Sequence, residues 1–417
     1  MDKVLAIVMA GGAGERLQPL TRERSKGAVP FGGKFRLIDF TLSNCVNSGL
    51  RQIFVLTQYL SESLNRHIQE GWGISSSGLG EYIYCMPAQQ KLGTDWYRGT
   101  ADAVRQNLDL LRRRKDVDNV LILSGDHVYK MNYSQLAVYH GMKRASVTIS
   151  AVRAREQEAA GKLAVLEIDQ NHRLTGFEEK PAQPKTLVDA PGHALASMGV
   201  YIFKVDVLLQ ALQEKGDDFG KHIIPTMLDK RQDIFVYDYE KENRIEDFEV
   251  EVRDGVREKR LVEKTRDSSY WKDVGSIDSY YEASMELLAV EPPFSLYGDR
   301  WPLRTYQRPL PPGKCILSGE LLQSILCDGC IVSGGTVCDS ILSPGVVVER
   351  DAIVERSIIF DDVIIEPGAR IRQAIVDKET RIRAGASIGY DREADERRGF
   401  TISDNGIVAI GKGTDIS

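Results

Sequence analysis

A short glycine-rich stretch near the N-terminus is the first place where this sequence suggests chemistry. Residues 10–17 read AGGAGERL and follow the apolar run VLAIVMA at positions 4–10. Glycines allow backbone N–H groups to approach phosphate oxygens closely, and an arginine such as Arg16 can neutralise those oxygens. The stretch lacks the third glycine of a dinucleotide fingerprint and the Gly-Lys-Ser/Thr ending of a P-loop. On its own it predicts either a plain tight turn or a phosphate-binding loop of another kind.

Basic residues crowd the first forty positions, around and after this loop. They are Arg16, Arg22, Arg24, Lys26, Lys34 and Arg36. The whole chain has a net charge of −6, so any anion site must come from a local cluster and not from a global basic field. The same charge argues against nucleic acid or an anionic membrane as a partner. Lys26 could reach phosphates held by the loop, and the alternative is that the cluster forms a solvated basic face.

Alternating strand-like and helix-like patterns over the first 290 residues would position these side chains. Four short runs rich in β-branched residues predict strands: VLAIVMA (4–10), QIFVLTQ (52–58), VLILSGD (120–126) and SVTISAV (146–152). Segments 101–114 and 133–144 carry apolar residues at helical spacing. This alternation favours an α/β fold with a mostly parallel sheet covered by helices. Asp126 ends the third run, at the sheet edge where such folds bind ligands, although a turn or cap role is also common there.

The character of the chain changes after residue 290. Residues 291–314 contain six of the fifteen prolines and predict a linker laid over a surface, between a first domain at 1–290 and a second at 315–417. In the second domain, aliphatic residues recur every six positions, with one slip between the second and third sets. The sets are Ile325, Ile331 and Val337; Val347, Ile353, Ile359, Ile365 and Ile371; and Val376, Ile382 and Ile388. This period predicts a left-handed parallel β-helix in which each of these residues points inward, and which offers a stacking surface to other subunits.

The histidines and cysteines exclude some functions. All six histidines precede the repeats, so the β-helix lacks the general base that an acyltransferase of this architecture needs. Cys327 and Cys330 have the spacing of a zinc knuckle, but no second pair follows, so reduced thiols in a cytoplasmic protein fit better. The N-terminus enters glycines and charges after a short apolar run, which predicts a buried strand and not a signal peptide.

A resemblance to a known family extends over nearly the whole chain. Residues 9–49, MAGGAGERLQPLTRERSKGAVPFGGKFRLIDFTLSNCVNSG, resemble the N-terminus of the glucose-1-phosphate adenylyltransferases. The resemblance continues, in order, through TQY (57–59), PAQQ (87–90), WYRGTADAV (96–104), LSGDHVYKMNY (123–133), FEEKP (177–181), ASMGVYIF (196–203), DFGK (218–221) and YWKDVG (270–275). It implies a Rossmann-like nucleotidyltransferase domain followed by the hexapeptide-repeat β-helix, and a homotetramer.

The resemblance implies the reaction of ATP with α-D-glucose 1-phosphate to give ADP-glucose and pyrophosphate, in glycogen or α-glucan biosynthesis. The sugar-phosphate oxygen attacks the α-phosphorus in line, so the protein must align two polyanions and neutralise their charge. Mg²⁺ is the implied cofactor, held by Asp126 and by Asp273 of YWKDVG. Arg16 and Lys26 would hold the β- and γ-phosphates, and these four residues form the predicted catalytic set.

The substrate-binding residues are implied by the same motifs. On the ATP side they are Ala10, Gly11, Gly12, Gly14, Gln58, Pro87, Gly99 and Thr100. On the glucose 1-phosphate side they are Tyr97, Glu179, Lys180, Ser197 and Asp218. Lys180 matches the lysine that holds the sugar phosphate, and Glu179 the carboxylate that binds sugar hydroxyls. Without the resemblance, these two would be read as an exposed charged turn before Pro181, and Tyr97 could equally be a core residue.

Three positions depart from the family pattern. Glu15 replaces a small hydroxyl residue, Gly27 replaces a proline after the lysine, and Glu23 stands where several relatives carry a basic residue used for an anionic activator. Sugar-phosphate effectors are expected between the two domains, with altered preference. The candidate residues for binding them are Arg24, Arg36, Lys378, Arg397 and Arg398, any of which could be ordinary surface charge.

Alternative functions remain open from the sequence. One is a nucleotidyltransferase of the same chemistry that uses another nucleoside triphosphate or sugar phosphate, and WYRGTADAV argues against it. Another is a catalytically silent regulatory subunit, which the presence of Arg16, Lys26, Asp126 and Lys180 disfavours. A dehydrogenase is disfavoured by the missing glycine. The highly charged segment 241–266 has no assigned role and could form an exposed arm or an insertion.

Overall fold

The computed structural model describes residues 1–73, 76–89, 96–112, 114 and 116–417. Up to residue 290, this part of the chain contains fifteen strands. They are β1 (Val4–Ala10), β2 (Pro30–Phe31), β3 (Phe35–Arg36), β4 (Gln52–Thr57), β5 (Tyr82–Pro87), β6 (Asn119–Ser124), β7 (His127–Tyr129), β8 (Val147–Arg155), β9 (Val165–Ile168), β10 (Leu174–Glu178), β11 (His193–Lys204), β12 (Ile234–Asp238), β13 (Asp247–Arg253), β14 (Val256–Val262) and β15 (Trp271–Asp273). All four strands predicted from the sequence are present.

Helices cover both faces of the sheet that these strands build. They are α1 (Leu37–Asn47), α2 (Glu62–Gly71), α3 (Thr100–Arg105), α4 (Leu108–Arg112), α5 (Tyr133–Lys143), α6 (Glu156–Ala159), α7 (Val205–Ala211), α8 (Ile224–Asp229), α9 (Tyr239–Glu242) and α10 (Ile277–Met285). The helix predicted over 101–114 is in fact two short helices, α3 and α4, and its residue 113 lies outside the described residues, as does residue 90 of the PAQQ motif. None of the described helices reaches the length and apolar character that a membrane span requires.

The central sheet has nine strands and is mixed, with parallel pairing where the glycine-rich loop begins. Its main order is β10-β9-β11-β6-β1-β4-β5, and β8 and β12 extend it from β11. Strand β1 lies between β4 and β6, and both neighbours run parallel to it. Strand β1 is almost entirely buried because apolar side chains cover both of its faces. The carboxyl ends of β1, β4 and β6 therefore meet at one edge.

A second domain follows, built from seventeen short strands. They are β16 (Lys314–Ile316), β17 (Glu320–Leu322), β18 (Ile325–Leu326), β19 (Ile331–Ser333), β20 (Thr336–Cys338), β21 (Ile341–Leu342), β22 (Val347–Val348), β23 (Ile353–Glu355), β24 (Ile358–Ile359), β25 (Ile364–Ile365), β26 (Arg370–Arg372), β27 (Ala374–Val376), β28 (Arg381–Ile382), β29 (Ser387–Ile388), β30 (Thr401–Ile402), β31 (Val408–Ile410) and β32 (Asp415–Ile416). A helix, α11 (Arg392–Arg397), interrupts them. The strands form three sheets whose successive rungs pair in parallel, apart from the antiparallel β30, as the predicted left-handed β-helix requires.

The register of the β-helix differs from the prediction in its first coils. Ile325, Ile331, Val347 and Ile353 are only partly buried. The fully buried positions beside the last three are instead Val332, Val348 and Val354. From Ile359 onward, the predicted positions are buried. The reason is that partners on successive rungs, such as Ile331, Val347 and Ile364, lie 16 or 17 residues apart, so a strict period of three six-residue sides drifts by one or two residues per coil.

The proline-rich segment packs against the first domain and is more than a loose connection. Within it, Phe294 is fully buried and Trp301 nearly so. The hydroxyl of Thr305 donates to the buried Asp39 carboxylate at 2.7 Å. Apolar side chains from both domains, among them Tyr280 and Ile358, share a single core with Phe294. The two domains therefore form a continuous apolar contact.

Candidate active site

The glycine-rich loop leaves the carboxyl end of β1 and turns back over Lys26. Gly14 has a φ of +66°, and a Cβ on it would lie 3.0 Å from Thr21 and 3.1 Å from the Lys26 Cβ. The hydroxyl of Thr21 donates to the Gly14 carbonyl at 2.8 Å and fixes the turn. A Cβ on Gly12, in contrast, would meet nothing within 4 Å. Gly14 is thus required by the turn, whereas Gly12 leaves space open beside the loop, which a phosphate group needs.

Strand pairing brings the two predicted metal aspartates together. Strand β6 ends at Ser124, and Asp126 lies just beyond it. The following strand β7 pairs with β15, and the register sets Asp273 opposite His127. The Nζ of Lys26 then donates to Asp126 Oδ2 at 2.8 Å and to Asp273 Oδ1 at 3.1 Å. Three residues that are far apart in the sequence therefore form one charged cluster at the carboxyl edge of the sheet.

Electrostatic interactions and hydrogen bonds within the cluster stabilise its charged groups. Burial by itself would raise the pKa of Asp126, but the Lys26 and His127 charges and the Lys26 and Ser124 hydrogen bonds lower it well below its usual range. Burial likewise opposes the charge on Lys26, yet the two carboxylates outweigh it and raise the pKa of the ammonium. Lys26 and Asp126 therefore both stay ionised at neutral pH. Counted formally, one ammonium and two carboxylates give the cluster a net charge of −1.

Oxygen and nitrogen donors in this cluster suit a divalent cation. Asp126, His127 and Asp273 each offer one ligand atom, and these atoms all lie within 4.8 Å of one another. The His127 ring packs edge-on against Trp271, with its Nε2 3.6 Å from Asp126 Oδ1. Its buried Nδ1 has no hydrogen-bond partner within the described ranges. Carboxylate oxygens are the ligands that Mg²⁺ prefers, so the donor set fits the implied ion.

Arg16 reaches the same cluster from the loop. A Cβ on Gly275 would lie 2.9 Å from the Arg16 guanidinium and 3.0 Å from Asp273 Oδ1. Gly275 therefore makes room for the arginine beside the second aspartate. Arg16 is solvent-exposed, and so is Glu15, one of the three residues that depart from the family pattern. Gly27, the other departure in this region, is buried, and a Cβ on it would lie 3.4 Å from the Gly125 carbonyl oxygen.

A cavity of about 420 Å³ adjoins the loop and the carboxylates. Six of the eight residues predicted on the ATP side line it. They are Ala10, Gly11, Gly12, Gln58, Gly99 and Thr100. The Gln58 side chain pairs with the backbone of Tyr97, accepting from its N–H at 2.9 Å and donating to its carbonyl at 3.3 Å. Gln58 thus fixes the position of Tyr97 and has both ends of its amide engaged. Pro87 is exposed at the end of β5 and is not among the lining residues.

Hydrogen bonds join the segment that carries Gly99 and Thr100, predicted on the ATP side, directly to the segment that carries Asp218, predicted on the sugar side. The Asp218 carboxylate accepts from the Thr100 hydroxyl at 3.1 Å and from the backbone N–H of Gly220 at 2.9 Å. Gly99 lies very close to Asp217, the residue before Asp218. A Cβ on Gly99 would be 2.3 Å from the Asp217 carbonyl oxygen. The Tyr97 hydroxyl accepts from Asn107 at 2.9 Å, which ties this segment to the core.

The remaining residues predicted on the sugar side come from two strands, since Glu179 and Lys180 follow the end of β10 and Ser197 lies in β11. A Cβ on Gly220 would be 2.8 Å from Glu179 Oε2, so the glycine lets this carboxylate approach Asp218. Burial raises the pKa of Glu179. Lys180 has a φ of +51°, a conformation that is costly for a residue other than glycine and that concentrates at functional sites. Ser197 begins a bulge in β11, where the pairing with β8 shifts register, and the bulge redirects its side chain.

The predicted effector residues separate into different environments between the domains. Arg36 and Lys378 line a cavity of about 580 Å³ that also contains Arg308, Asp361 and Asp362. Arg24 also borders this cavity, but its guanidinium is 2.8 Å from Asp377 in an ion pair that is almost completely buried. The Arg398 guanidinium donates to the Ser387 carbonyl and lines a smaller cavity, whereas Arg397 is exposed on α11.

Four further residues shape the site although the sequence did not single them out. Ser124 donates to Asp126, His127 adds a nitrogen, and Gly220 and Gly275 make room for Glu179 and Arg16. All four stand inside or directly next to quoted motifs, LSGDHVY, DFGK and YWKDVG. Their neighbours in the sequence were the only signal, because a glycine's role depends on what would meet its missing side chain.

Comparison with known proteins agrees with this architecture. The family model described as nucleotidyl transferase matches residues 5–290, and a GlmU-like, C-terminal hexapeptide model matches residues 311–410. Three relatives are named glucose-1-phosphate adenylyltransferase. The protein of Rhodopirellula baltica is 41% identical over 99% of this chain and 91% of its own length, and that of Anaeromyxobacter sp. 43% over 99% and 98%. Enzyme 2 of Vibrio cholerae is 42% identical over 98% of both chains. The chain therefore belongs to the glucose-1-phosphate adenylyltransferase family.

Proposed function

We propose that this protein transfers the adenylyl group of ATP to α-D-glucose 1-phosphate and releases pyrophosphate. A phosphate oxygen of the sugar phosphate forms a bond to the α-phosphorus, and the bond from that phosphorus to the oxygen that bridges the α- and β-phosphates of ATP breaks, so that this oxygen leaves with pyrophosphate. The attacking oxygen is already anionic, so the reaction needs alignment and charge neutralisation more than a protein nucleophile. The product is ADP-glucose, the glucosyl donor for glycogen or α-glucan synthesis.

The observation that carries the proposal is the cluster of Lys26, Asp126 and Asp273 next to the glycine-rich loop. It combines a cation for phosphates with two carboxylates for a metal, at the sheet edge where such folds bind nucleotides. Nucleotidyltransferases generally use a divalent metal, and we propose Mg²⁺ held by Asp126 and Asp273. When bound, Mg²⁺ would neutralise the reacting phosphates and polarise the α-phosphorus.

The remaining residues would hold the two substrates on either side of this cluster. Arg16 and Lys26 would bind the β- and γ-phosphates and stabilise the departing pyrophosphate. Glu179, beside Asp218, would accept hydrogen bonds from sugar hydroxyls, and Lys180 would pair with the sugar phosphate. The hydrogen bond from Thr100 to Asp218 supports this arrangement, since it helps to connect the two proposed substrate-binding segments directly.

We also propose that anionic effectors act from between the domains and that the chain assembles as a homotetramer. Arg36 and Lys378 would bind the effector in the interdomain cavity. Fructose 1,6-bisphosphate, fructose 6-phosphate and pyruvate would each be added to the enzyme assay. A loss of response in Lys378→Ala supports the site, whereas the absence of any response contradicts it. Native mass spectrometry would test for the tetramer.

The first experiment is pyrophosphate release with glucose 1-phosphate, Mg²⁺ and each nucleoside triphosphate in turn, with Asp126→Ala as the inactive control. Activity with ATP that the variant loses would support the proposal. Preference for UTP or dTTP would retain the chemistry and refute the nucleotide. Failure with every nucleotide, with and without effectors, would instead favour a catalytically silent regulatory subunit.

A further inference from the structure

The ammonium of Lys26 and a divalent ion need the same carboxylate oxygens. Lys26 Nζ is 2.8 Å from Asp126 Oδ2 and 3.1 Å from Asp273 Oδ1. The other oxygen of Asp126 accepts a hydrogen bond from the Ser124 hydroxyl. Both oxygens of Asp126 are therefore engaged by the protein itself. An ion that bridges the two aspartates must displace the Lys26 ammonium from at least one of them.

Charge makes simultaneous occupancy unfavourable. Two carboxylates and one ammonium leave a net charge of −1, and a divalent ion added to all three would make the net charge of the cluster +1. The Lys26 side chain is only 11% exposed, so water screens this repulsion poorly. The ion becomes favourable when the ammonium moves to another anion.

The loop offers such an alternative position. The Lys26 Cβ lies against Gly14, so the root of the side chain is fixed below the loop and only its end is free to turn. The turn that carries it is closed by backbone hydrogen bonds from Ala28 to Ser25 and from Val29 to Lys26. A triphosphate lying along the loop would accept the ammonium with a small rotation of the side chain.

We propose that Lys26 is a built-in competitor of the divalent ion, displaced by the triphosphate, so that the metal enters with the nucleotide and binds poorly without it. This inference rests on the proposed function only in treating Asp126 and Asp273 as the metal ligands. It assigns Lys26 a second role, in controlling when the metal site becomes available. The consequence is an order of binding, since the carboxylates become metal ligands only once phosphates have taken the ammonium.

The test is Mn²⁺ binding to the purified protein without nucleotide, followed by electron paramagnetic resonance. Lys26→Met removes the competing charge at nearly constant length, and we expect Mn²⁺ to bind at least about tenfold more tightly than to the wild type. Lys26→Arg keeps a cation and should stay within about threefold of the wild type. Lys3→Met is the matched control, because Lys3 pairs with Asp118 at the surface, beside the opposite end of β1.

Circular dichroism and thermal melting would first establish that each variant is folded. Should Lys26→Met prove unstable, Lys26→Gln, which keeps a polar end, would replace it. Unchanged or weaker Mn²⁺ binding to the folded neutral variant would overturn the inference, as would tight binding to Lys26→Arg. Because the titration needs no sugar phosphate and no turnover, the expected binding in a protein that releases no pyrophosphate would refute the proposed function alone.

Discussion

A methyl group on Gly99 should separate the two substrate-binding segments. An alanine Cβ there would lie 2.3 Å from the Asp217 carbonyl oxygen, whereas ordinary contact begins at 3.4 Å. The backbone must therefore shift by about 1 Å. The same carbonyl accepts hydrogen bonds from the N–H groups of Ala101 and Asp102 at 2.9 and 3.0 Å. The shift would therefore also disturb these two hydrogen bonds between the segments.

The magnitude follows from the displacement. A misplacement of about 1 Å of a substrate-positioning group costs roughly a hundredfold in rate, which corresponds to about 2.7 kcal/mol of transition-state stabilisation. We expect Gly99→Ala to lower kcat/KM for pyrophosphate release by this factor. Because we propose that Thr100 and Asp218 position opposite substrates, we expect the loss mainly in kcat. Steady-state kinetics with both substrates varied would measure it.

Gly141→Ala provides the matched control. Gly141 lies in α5, and a Cβ on it would meet nothing within 4 Å. This variant should keep wild-type kinetics and gain up to about 1 kcal/mol in stability from the helix preference of alanine. If Gly99→Ala keeps kcat/KM within about threefold of the wild type, the geometric argument is wrong.

Other predictions follow from single contacts. Gly220→Ala places a Cβ 2.8 Å from Glu179 Oε2, so the KM for glucose 1-phosphate should rise about tenfold while that for ATP changes little. Arg24→Met leaves the buried Asp377 carboxylate unpaired and should lower the free energy of unfolding by about 3–5 kcal/mol in urea titrations, part of which Asp377→Leu should restore. Burial lowers the pKa of His140 to about 4, so the unfolded chain takes up a proton first as the pH falls from 6.5 towards 4. The wild type should lose up to roughly 3 kcal/mol relative to His140→Leu over that interval, as measured by unfolding at each pH.

Controls for these changes come from exposed positions. Gly73→Ala meets its nearest atom at 3.9 Å and should leave both KM values unchanged. Lys3→Met breaks an exposed ion pair and should shift stability by less than about 1 kcal/mol. The Gly220→Ala prediction is wrong if the KM rises for both substrates. The Arg24→Met prediction is wrong if the loss in the free energy of unfolding is below about 1 kcal/mol. The His140 prediction is wrong if the stability difference between the wild type and His140→Leu does not depend on pH.

Local patterns predicted the elements of the fold better than their contacts. The run VLAIVMA is buried and β-branched enough to specify β1, and the six-residue period specifies the β-helix. That period could not reveal coils of 16 and 17 residues, because a drift of one or two residues per coil looks like a sporadic slip over so short a sequence. Among the first predicted inward positions, Val337 is buried, whereas Ile325, Ile331, Val347 and Ile353 are only partly buried. From Ile359 onward, all the predicted positions are buried.

The site was predictable one residue at a time but not as a geometry. Asp126 could be placed from its strand alone, since it follows the end of β6. Asp273 could not, because its position depends on the pairing of β15 with β7, which no local signal encodes. The expectation that Gln58 binds ATP remains a prediction, although both ends of its amide have backbone partners. The family resemblance implied that Asp273 joins Asp126, which spacing along the sequence could not indicate.

The pairing of β7 with β15 also determines when the site can form during synthesis of the chain. Its two strands are about 150 residues apart in the chain, and one of them supplies Asp273. At 5–20 residues per second, synthesis leaves roughly 7–30 s between the emergence of Asp126 and that of its partner. During that interval the nascent chain already holds the glycine loop and Lys26 but lacks the second carboxylate. Catalytic competence therefore arrives late on the ribosome, once the first domain is nearly complete.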